Sequence, residues 1–272
     1  MEQVRGVLNY LDETTEKPVT YTYEPPPGVP ARTGRTVKHE VPVIDGRAIA
    51  GQLSLDVQGF LLAPHASVVR NFYDEGEVKR VYYPEMERLV REITGAARVL
   101  TFDHNVRNGS KEMRAKLGVR EPVRFAHNDY TLKSGPQRVR ELYGDAQAER
   151  LLKHRYVFIN VWRPIRGPVE QSPLAVCDAR SMKQDDFVAT DLVYRDRTGE
   201  VYSVRHSPEH RWYYFSRMRP DEVLLLKCFD SDPGRTRYTA HSAFEDPATP
   251  PAAAPRESIE ARTIAFFAPA GD

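Results

Sequence analysis

The chain has 272 residues, with 39 basic and 38 acidic side chains and a formal net charge of +1. That length fits one large domain, and so even a charge balance leaves no electrostatic footprint for nucleic acid or an anionic membrane. No apolar run approaches the ~20 residues a membrane-spanning helix needs, Met1-Glu2-Gln3-Val4-Arg5 lacks the apolar core of a signal peptide, and Cys177 and Cys228 lie in apolar runs without CxxC spacing, which reads as buried thiols in a reducing cytoplasm.

Residues 1–50 read as an N-terminal arm packed on the core: a β-rich run at 20–23 leads into Pro25-Pro26-Pro27, and a second run covers 40–44. A third run covers 55–62. Met86, Leu89, Val90 and Ile93 form the i, i+3, i+4, i+7 stripe of an amphipathic helix over 84–94, with Pro84 in its first turn and Gly95 as its stop. After a run at 98–103, Asp103-His104-Asn105 reads as a cluster ahead of a turn at Asn108-Gly109. The run at 123–127 gives way at Asn128-Asp129 to a loop. A second helix covers about 136–153, with Gly144-Asp145 kinking or splitting it. Further β-rich runs cover 156–162, 174–177, 191–194, 201–206, 212–218, 222–229, 237–241 and 258–267, the last after a Pro/Ala-rich loop at 246–255. The spacing predicts a mainly β chain with flanking helices, built as a barrel or sandwich.

Within this frame one short pattern carries chemistry. His127-Asn128-Asp129 is the sole His-x-Asp/Glu match among eight histidines, where about one is expected by chance, so its weight comes from standing at a strand end. With a distal His it supplies two imidazoles and a carboxylate to one face of Fe(II), leaving open positions for cosubstrate and dioxygen. His241 is the favoured distal ligand, and His206 and His210 are its rivals. Both rivals precede or follow Ser207-Pro208-Glu209, a turn where a solvated His is the default, and neither is followed so closely by Arg-x-Ser at the head of a β-rich run. An Arg after the distal His offers a planar, permanently charged fork for the far carboxylate of 2-oxoglutarate.

Several ordered segments, Phe158-Ile159-Asn160-Val161-Trp162-Arg163-Pro164, Pro173-Leu174-Ala175-Val176-Cys177-Asp178, Trp212-Tyr213-Tyr214-Phe215, Leu226-Lys227-Cys228-Phe229-Asp230-Ser231 and His241-Ser242-Ala243-Phe244, resemble the CmcJ/AsaB-like family, which includes gibberellin-desaturase-like proteins. The resemblance spans roughly 103–267. It implies a double-stranded β-helix (jelly-roll, cupin-like) core in a single oxygenase domain over 1–272, and Fe(II)/2-oxoglutarate-dependent oxidation, by dioxygen, of a small specialised metabolite. Carried onto this chain, it makes His127, Asp129 and His241 the metal ligands. Arg256 and Ser258 then grip the far carboxylate of 2-oxoglutarate, and Arg262, six residues on and on the same strand face, supports the iron-chelating end. Which arginine serves which carboxylate stays open, because the proline-rich loop lengthens the usual spacing. An exterior Arg paired with Glu260 is the alternative for one of them.

Asn160, on one strand face with Trp162, is a barrel-lining amide suited to cosubstrate or substrate. Tyr130 and Tyr214, Lys227 at the end of a Leu run, and Asn105 near the expected mouth complete the set of second-tier contacts. The aromatic-rich strands at 156–162 and 212–215 predict a mouth lined by aromatic rings for a partly apolar molecule. Two other classes compete: a cupin-like metal enzyme that does not use 2-oxoglutarate and has no use for Arg256 and Arg262, and a non-catalytic barrel working beside a methyltransferase. The oligomeric state is open, with a homodimer among the options.

Overall fold

The computed structural model describes residues 1–268. The strands are β1 (Gln3–Leu11), β2 (Val19–Tyr21), β3 (Thr36–Asp45), β4 (Phe60–Pro64), β5 (Arg98–Asn108), β6 (His127–Asn128), β7 (Tyr156–Pro164), β8 (Leu174–Cys177), β9 (Phe187–Val193), β10 (Thr198–Val204), β11 (Trp212–Tyr214), β12 (Glu222–Asp230), β13 (His241–Ala243) and β14 (Glu257–Phe266). They form a nine-stranded sheet in the order β1-β3-β11-β8-β13-β6-β10-β9-β2 and a five-stranded sheet in the order β4-β12-β7-β14-β5. The helices are α1 (Glu75–Glu77), which runs through a π-helical stretch at Val78–Tyr82 into α2 (Tyr83–Thr94), then α3 (Lys111–Leu117), α4 (Ser134–Tyr143) and α5 (Asp145–Leu151).

β7 explains the layering. All nine of its residues are buried, so the strand is covered on both faces, and its continuous apolar run reflects that. Val157, Ile159 and Val161 point outward to meet Val78, Tyr82, Met86 and Val90 of the helical segment. Phe158 and Trp162 point inward with Leu224 and Leu226 of β12, against Leu174, Val176, Tyr202 and Tyr213 of the larger sheet. Each such apolar side chain removed from water contributes about 1.5–3 kcal/mol. On the outer face of the larger sheet, Leu8 and Tyr10 of its edge strand β1 pack with Ala175, Cys177 and Trp212. Trp212 Nε1 donates to the Tyr10 hydroxyl at 2.6 Å. The two facing sheets form the double-stranded β-helix.

Several elements differ from the sequence reading. β5 runs past its expected end at 103 to Asn108, so Asp103, His104 and Asn105 lie within the strand, ahead of the bend at Gly109. The run expected at 55–62 is a turn followed by β4, and 237–241 reaches strand geometry only from His241. Residues 3–11 and 36–45 are strands of the larger sheet. α3 carries no buried side chain, which is why no apolar stripe announces it. As expected from the sequence, the helix over 136–153 is split at Gly144, whose φ of 71° ends α4, and Gly95, at φ 69°, stops α2. None of the described helices is long and apolar enough to cross a membrane.

Candidate metal centre

Antiparallel pairing sets the geometry. β6 lies between β10 and β13, and His127 is directly opposite His241, so both imidazoles rise from the same side of the sheet with ring centroids 4.3 Å apart. Asp129, two residues beyond His127, returns to that side by strand alternation. One ligand atom from each of the three lies within 4.8 Å of the others, and among the described residues this is the only such group of three or more.

The imidazoles are held in one tautomer. His127 Nδ1 lies 2.8 Å from the Phe125 carbonyl and His241 Nδ1 lies 3.0 Å from that of Thr239. A carbonyl only accepts, so each Nδ1 carries the proton and each Nε2 presents a lone pair. Burial, with His241 alongside, pulls the His127 pKa down to about 3, which keeps it neutral and ready to ligate. His127 Nε2 faces Asp129 Oδ1 at 3.5 Å.

The other oxygen of Asp129 is anchored. Oδ2 accepts from Asn160 Nδ2 at 2.8 Å and from Arg262 Nε at 3.2 Å. Burial pushes this carboxyl up, but Arg262, the two histidines and Asn160 outweigh it and hold the pKa well below the usual carboxylate range. Arg262 also donates to Asp103 Oδ2 at 3.0 Å and lies 3.6 Å from Glu260. It is partly buried at the centre of three carboxylates, and so its charge is already compensated.

Arg256 is in the opposite condition. Register places Ser258 across from Arg107 and Pro164, and Glu260 across from Asn105 and Trp162, so Arg256, Ser258, Glu260 and Arg262 project from one face of β14 into the space between the sheets. Arg256 is 4% exposed. It donates Nη1 to the Ser172 carbonyl at 2.6 Å and sits 5.4 Å above the Trp162 ring, yet no carboxylate pairs with it among the described residues. Its Nε and the Ser258 hydroxyl are both buried without a partner. Burial, then Arg107, pulls the Arg256 pKa down to about 9. Both orphaned groups line one cavity with His127, His241, Trp162 and Arg262. A cationic fork and a hydroxyl beside a two-His, one-carboxylate set fit a dicarboxylate that chelates a metal at its other end.

The remaining sequence candidates divide. Tyr130 stacks on Phe158 at 4.2 Å and lines a recess beside Asp129 and Arg262, while Trp162 and Asn105 line the Arg256 cavity. Lys227 is elsewhere: it is 1% exposed and pairs with Asp56 at 2.6 Å and Asp230 at 2.8 Å. Tyr214 is on the outer face of the larger sheet against Phe244. Neither reaches the site. The rival histidines also lie on that outer side, both against Tyr10.

The mouth itself is a cavity of about 730 Å³ reaching outward from His127, Asp129 and Arg262. Its Phe and Tyr rings are Tyr21, Phe72, Tyr73, Tyr83, Phe102, Phe125 and Tyr194, from segments other than the two aromatic-rich strands that were expected to supply them. Arginines interrupt them. Arg107 and Arg120 line it too, and sequence reasoning missed both. A signal existed: Asp103, Asn105 and Arg107 alternate as polar residues along β5, legible only once that strand is carried past 103.

Comparison with known proteins agrees with this geometry. A family described as oxidoreductase/YMDC permease-like domain matches residues 8–266. The hydroxylase/desaturase efuI of Hormonema carpetanum is 38% identical, over 84% of this chain and 83% of its own. The Fe(II)/2-oxoglutarate-dependent dioxygenase nvfI of Aspergillus novofumigatus is 31% identical over 94% and 93%. A solved structure of the iron and alpha-ketoglutarate-dependent endoperoxidase NvfI superposes with a TM-score of 0.87 at 28% identity, covering 98% of this chain and 99% of that one. With motif, fold and relatives in agreement, the chain belongs to the Fe(II)/2-oxoglutarate-dependent hydroxylase/desaturase family that its sequence resembles.

Proposed function

We propose that this protein is a cytoplasmic dioxygenase, a single oxygenase domain that hydroxylates or desaturates a small specialised metabolite using Fe(II), 2-oxoglutarate and dioxygen. His127, Asp129 and His241 hold the metal. Arg256 and Ser258 hold the far carboxylate of 2-oxoglutarate, and Arg262 with Asn160 fixes the metal-binding carboxylate. The observation that carries this reading is the buried Arg256 Nε and Ser258 Oγ, both lacking a partner and both facing the cavity that contains the two histidines. Buried polar atoms are seldom left so, and a bound carboxylate satisfies both.

When bound, the iron with cosubstrate and dioxygen supplies a two-electron oxidation of a substrate C–H bond, with 2-oxoglutarate leaving as succinate and carbon dioxide. The chain supplies position. The Nδ1 bonds to Phe125 and Thr239 fix both imidazole rings. Asn160 and Arg262 hold Asp129 Oδ2 and leave Oδ1 turned toward His127. Trp162, Leu174 and Val123 form the apolar wall of the cosubstrate cavity.

A cupin-like enzyme without 2-oxoglutarate would leave Arg256 as an unneutralised buried cation, an arrangement that costs several kcal/mol. An anaerobic titration with Fe(II) and 2-oxoglutarate tests the proposal. A weak visible charge-transfer band should appear on addition of both, and saturate at one equivalent of iron. Iron bound without that band would favour the cupin-like alternative, and no iron bound would favour the accessory one.

A further inference from the structure

We propose that the substrate carries a carboxylate, bound on the outer wall of the mouth by Arg107, Arg120 and Arg32. This rests on the oxygenase reading above and specifies its substrate class.

Charge bookkeeping around the mouth isolates these three residues. Glu75 is taken by Lys79 at 2.6 Å and Asp103 by Arg262 at 3.0 Å, while Glu121 lies 3.8 Å from Arg114. On the cationic side, Arg197 faces Glu141 and Arg124 faces Glu245, each at 3.5 Å. After these pairings Arg32, Arg107 and Arg120 are left, and none forms an ion pair among the described residues. They are nonetheless held in place. Arg107 donates Nη1 to the Glu121 carbonyl at 2.8 Å and Arg120 donates Nη2 to the Thr22 carbonyl at 3.4 Å. Arg32 lies 4.0 Å above the Phe125 ring, with its Nε buried and without a partner. Burial draws both Arg32 and Arg107 below the ordinary arginine range.

A guanidinium has five N–H donors, and each of these three uses at most one on the protein. Their planar forks suit a carboxylate. The arginines stand together because residues 107 and 120 are bridged, strand to loop, and because the recess holding Arg32 shares Arg107, Arg120 and Phe125 with the mouth. The cosubstrate accounts for neither Arg32 nor Arg120, which lie outside the Arg256 cavity, while Arg107 lines both that cavity and the mouth. Val119, Val123, Phe125 and Tyr21 lie between and beside the arginines, which calls for an apolar body attached to the acid. The mouth, at about 730 Å³, falls within the range that encloses such a molecule.

The test uses 5-phenylpentanoate and its uncharged amide, 5-phenylpentanamide, titrated calorimetrically into protein preloaded anaerobically with Fe(II) and saturating 2-oxoglutarate. The acid should bind about tenfold or more tightly than the amide, as charge-assisted bonds to a carboxylate require. Arg120→Gln and Arg32→Gln should each erode that preference and Arg107→Gln should remove most of it, while the amide affinity falls much less than that of the acid. Equal binding of the pair, no binding of the acid, or a preference that survives in all three variants would overturn the proposal. The visible band of the Fe(II)–2-oxoglutarate complex reports separately on the underlying reading. If the band forms normally and the acid is not preferred, only the substrate class is wrong; if it never forms, both fall together.

Discussion

Arg262 Nε lies 3.2 Å from Asp129 Oδ2, on the carboxylate oxygen turned away from His127. Arg262 is therefore committed to the Asp129 carboxylate, and Asp103 and Glu260 compensate the rest of its charge. Arg256, six residues earlier on the same face, has no such commitments. The two arginines that look alike in sequence have different partners, and their variants should separate.

Arg256→Gln should raise the 2-oxoglutarate requirement by a hundredfold or more, since breaking a buried charged pair costs about 3–5 kcal/mol. Iron binding should be nearly unaffected. Titrating the chelate band against 2-oxoglutarate gives the answer directly, and an unchanged midpoint would reject Arg256 as the carboxylate clamp.

Arg262→Gln should act on the metal instead. Loss of a partner that orients a metal ligand weakens metal affinity by about 10–100-fold, and Asn160→Ala should show a smaller loss through the same Oδ2 atom. Equilibrium dialysis against Fe(II) measures both. His127→Ala, Asp129→Ala and His241→Ala should abolish binding and turnover in a folded protein.

How much of this was legible beforehand follows from the range of each signal. His127-x-Asp129 is local, and strand alternation alone puts both side chains on one face. His241 needed the β6–β13 pairing, 114 positions away in the chain, yet the order of the motifs pointed to it. The different surroundings of Arg256 and Arg262 were not legible, because they depend on which residues the β5 register brings across: Asp103 opposite Arg262, but Arg107 opposite Ser258. Lys227 follows Val223 and Leu225 on the outer face of β12, ahead of the bulge between Lys227 and Phe229, and pairs there with the internal carboxylate of Asp230, the option its place at the end of a Leu run had also left open.

Lys227 should accordingly matter for stability and not for catalysis. Its ammonium is 1% exposed between Asp56 and an Asp230 carboxylate that is fully buried. Lys227→Met leaves Asp230 with Arg155, 2.7 Å away, so the cost should fall near the low end for a broken buried pair, about 3 kcal/mol. Chemical denaturation reads that loss. A changed kcat or KM at permissive temperature would return Lys227 to the active site.

His210 gives the pH dependence. It is 5% exposed, its Nε2 lies 3.1 Å from Asp186 Oδ2, and its ring stacks on Tyr10 5.8 Å away. Burial pulls its pKa below the usual histidine value even though the Asp186 carboxylate pulls the other way. The unfolded chain therefore takes up this proton at a higher pH than the folded one. The stability tied to a neutral His210 is complete above about 6.5 and is lost as pH falls toward the folded-state value, at up to about 1.4 kcal/mol per pH unit. His206, lowered by burial and by its neighbours His39 and His210, adds to the same acid limb. His210→Gln should flatten that limb without removing it, in denaturation curves collected from neutral pH downward, and should leave iron binding intact. A variant that kept its acid limb but lost iron would transfer the distal ligand from His241 to His210, and with it the whole arrangement of the metal centre.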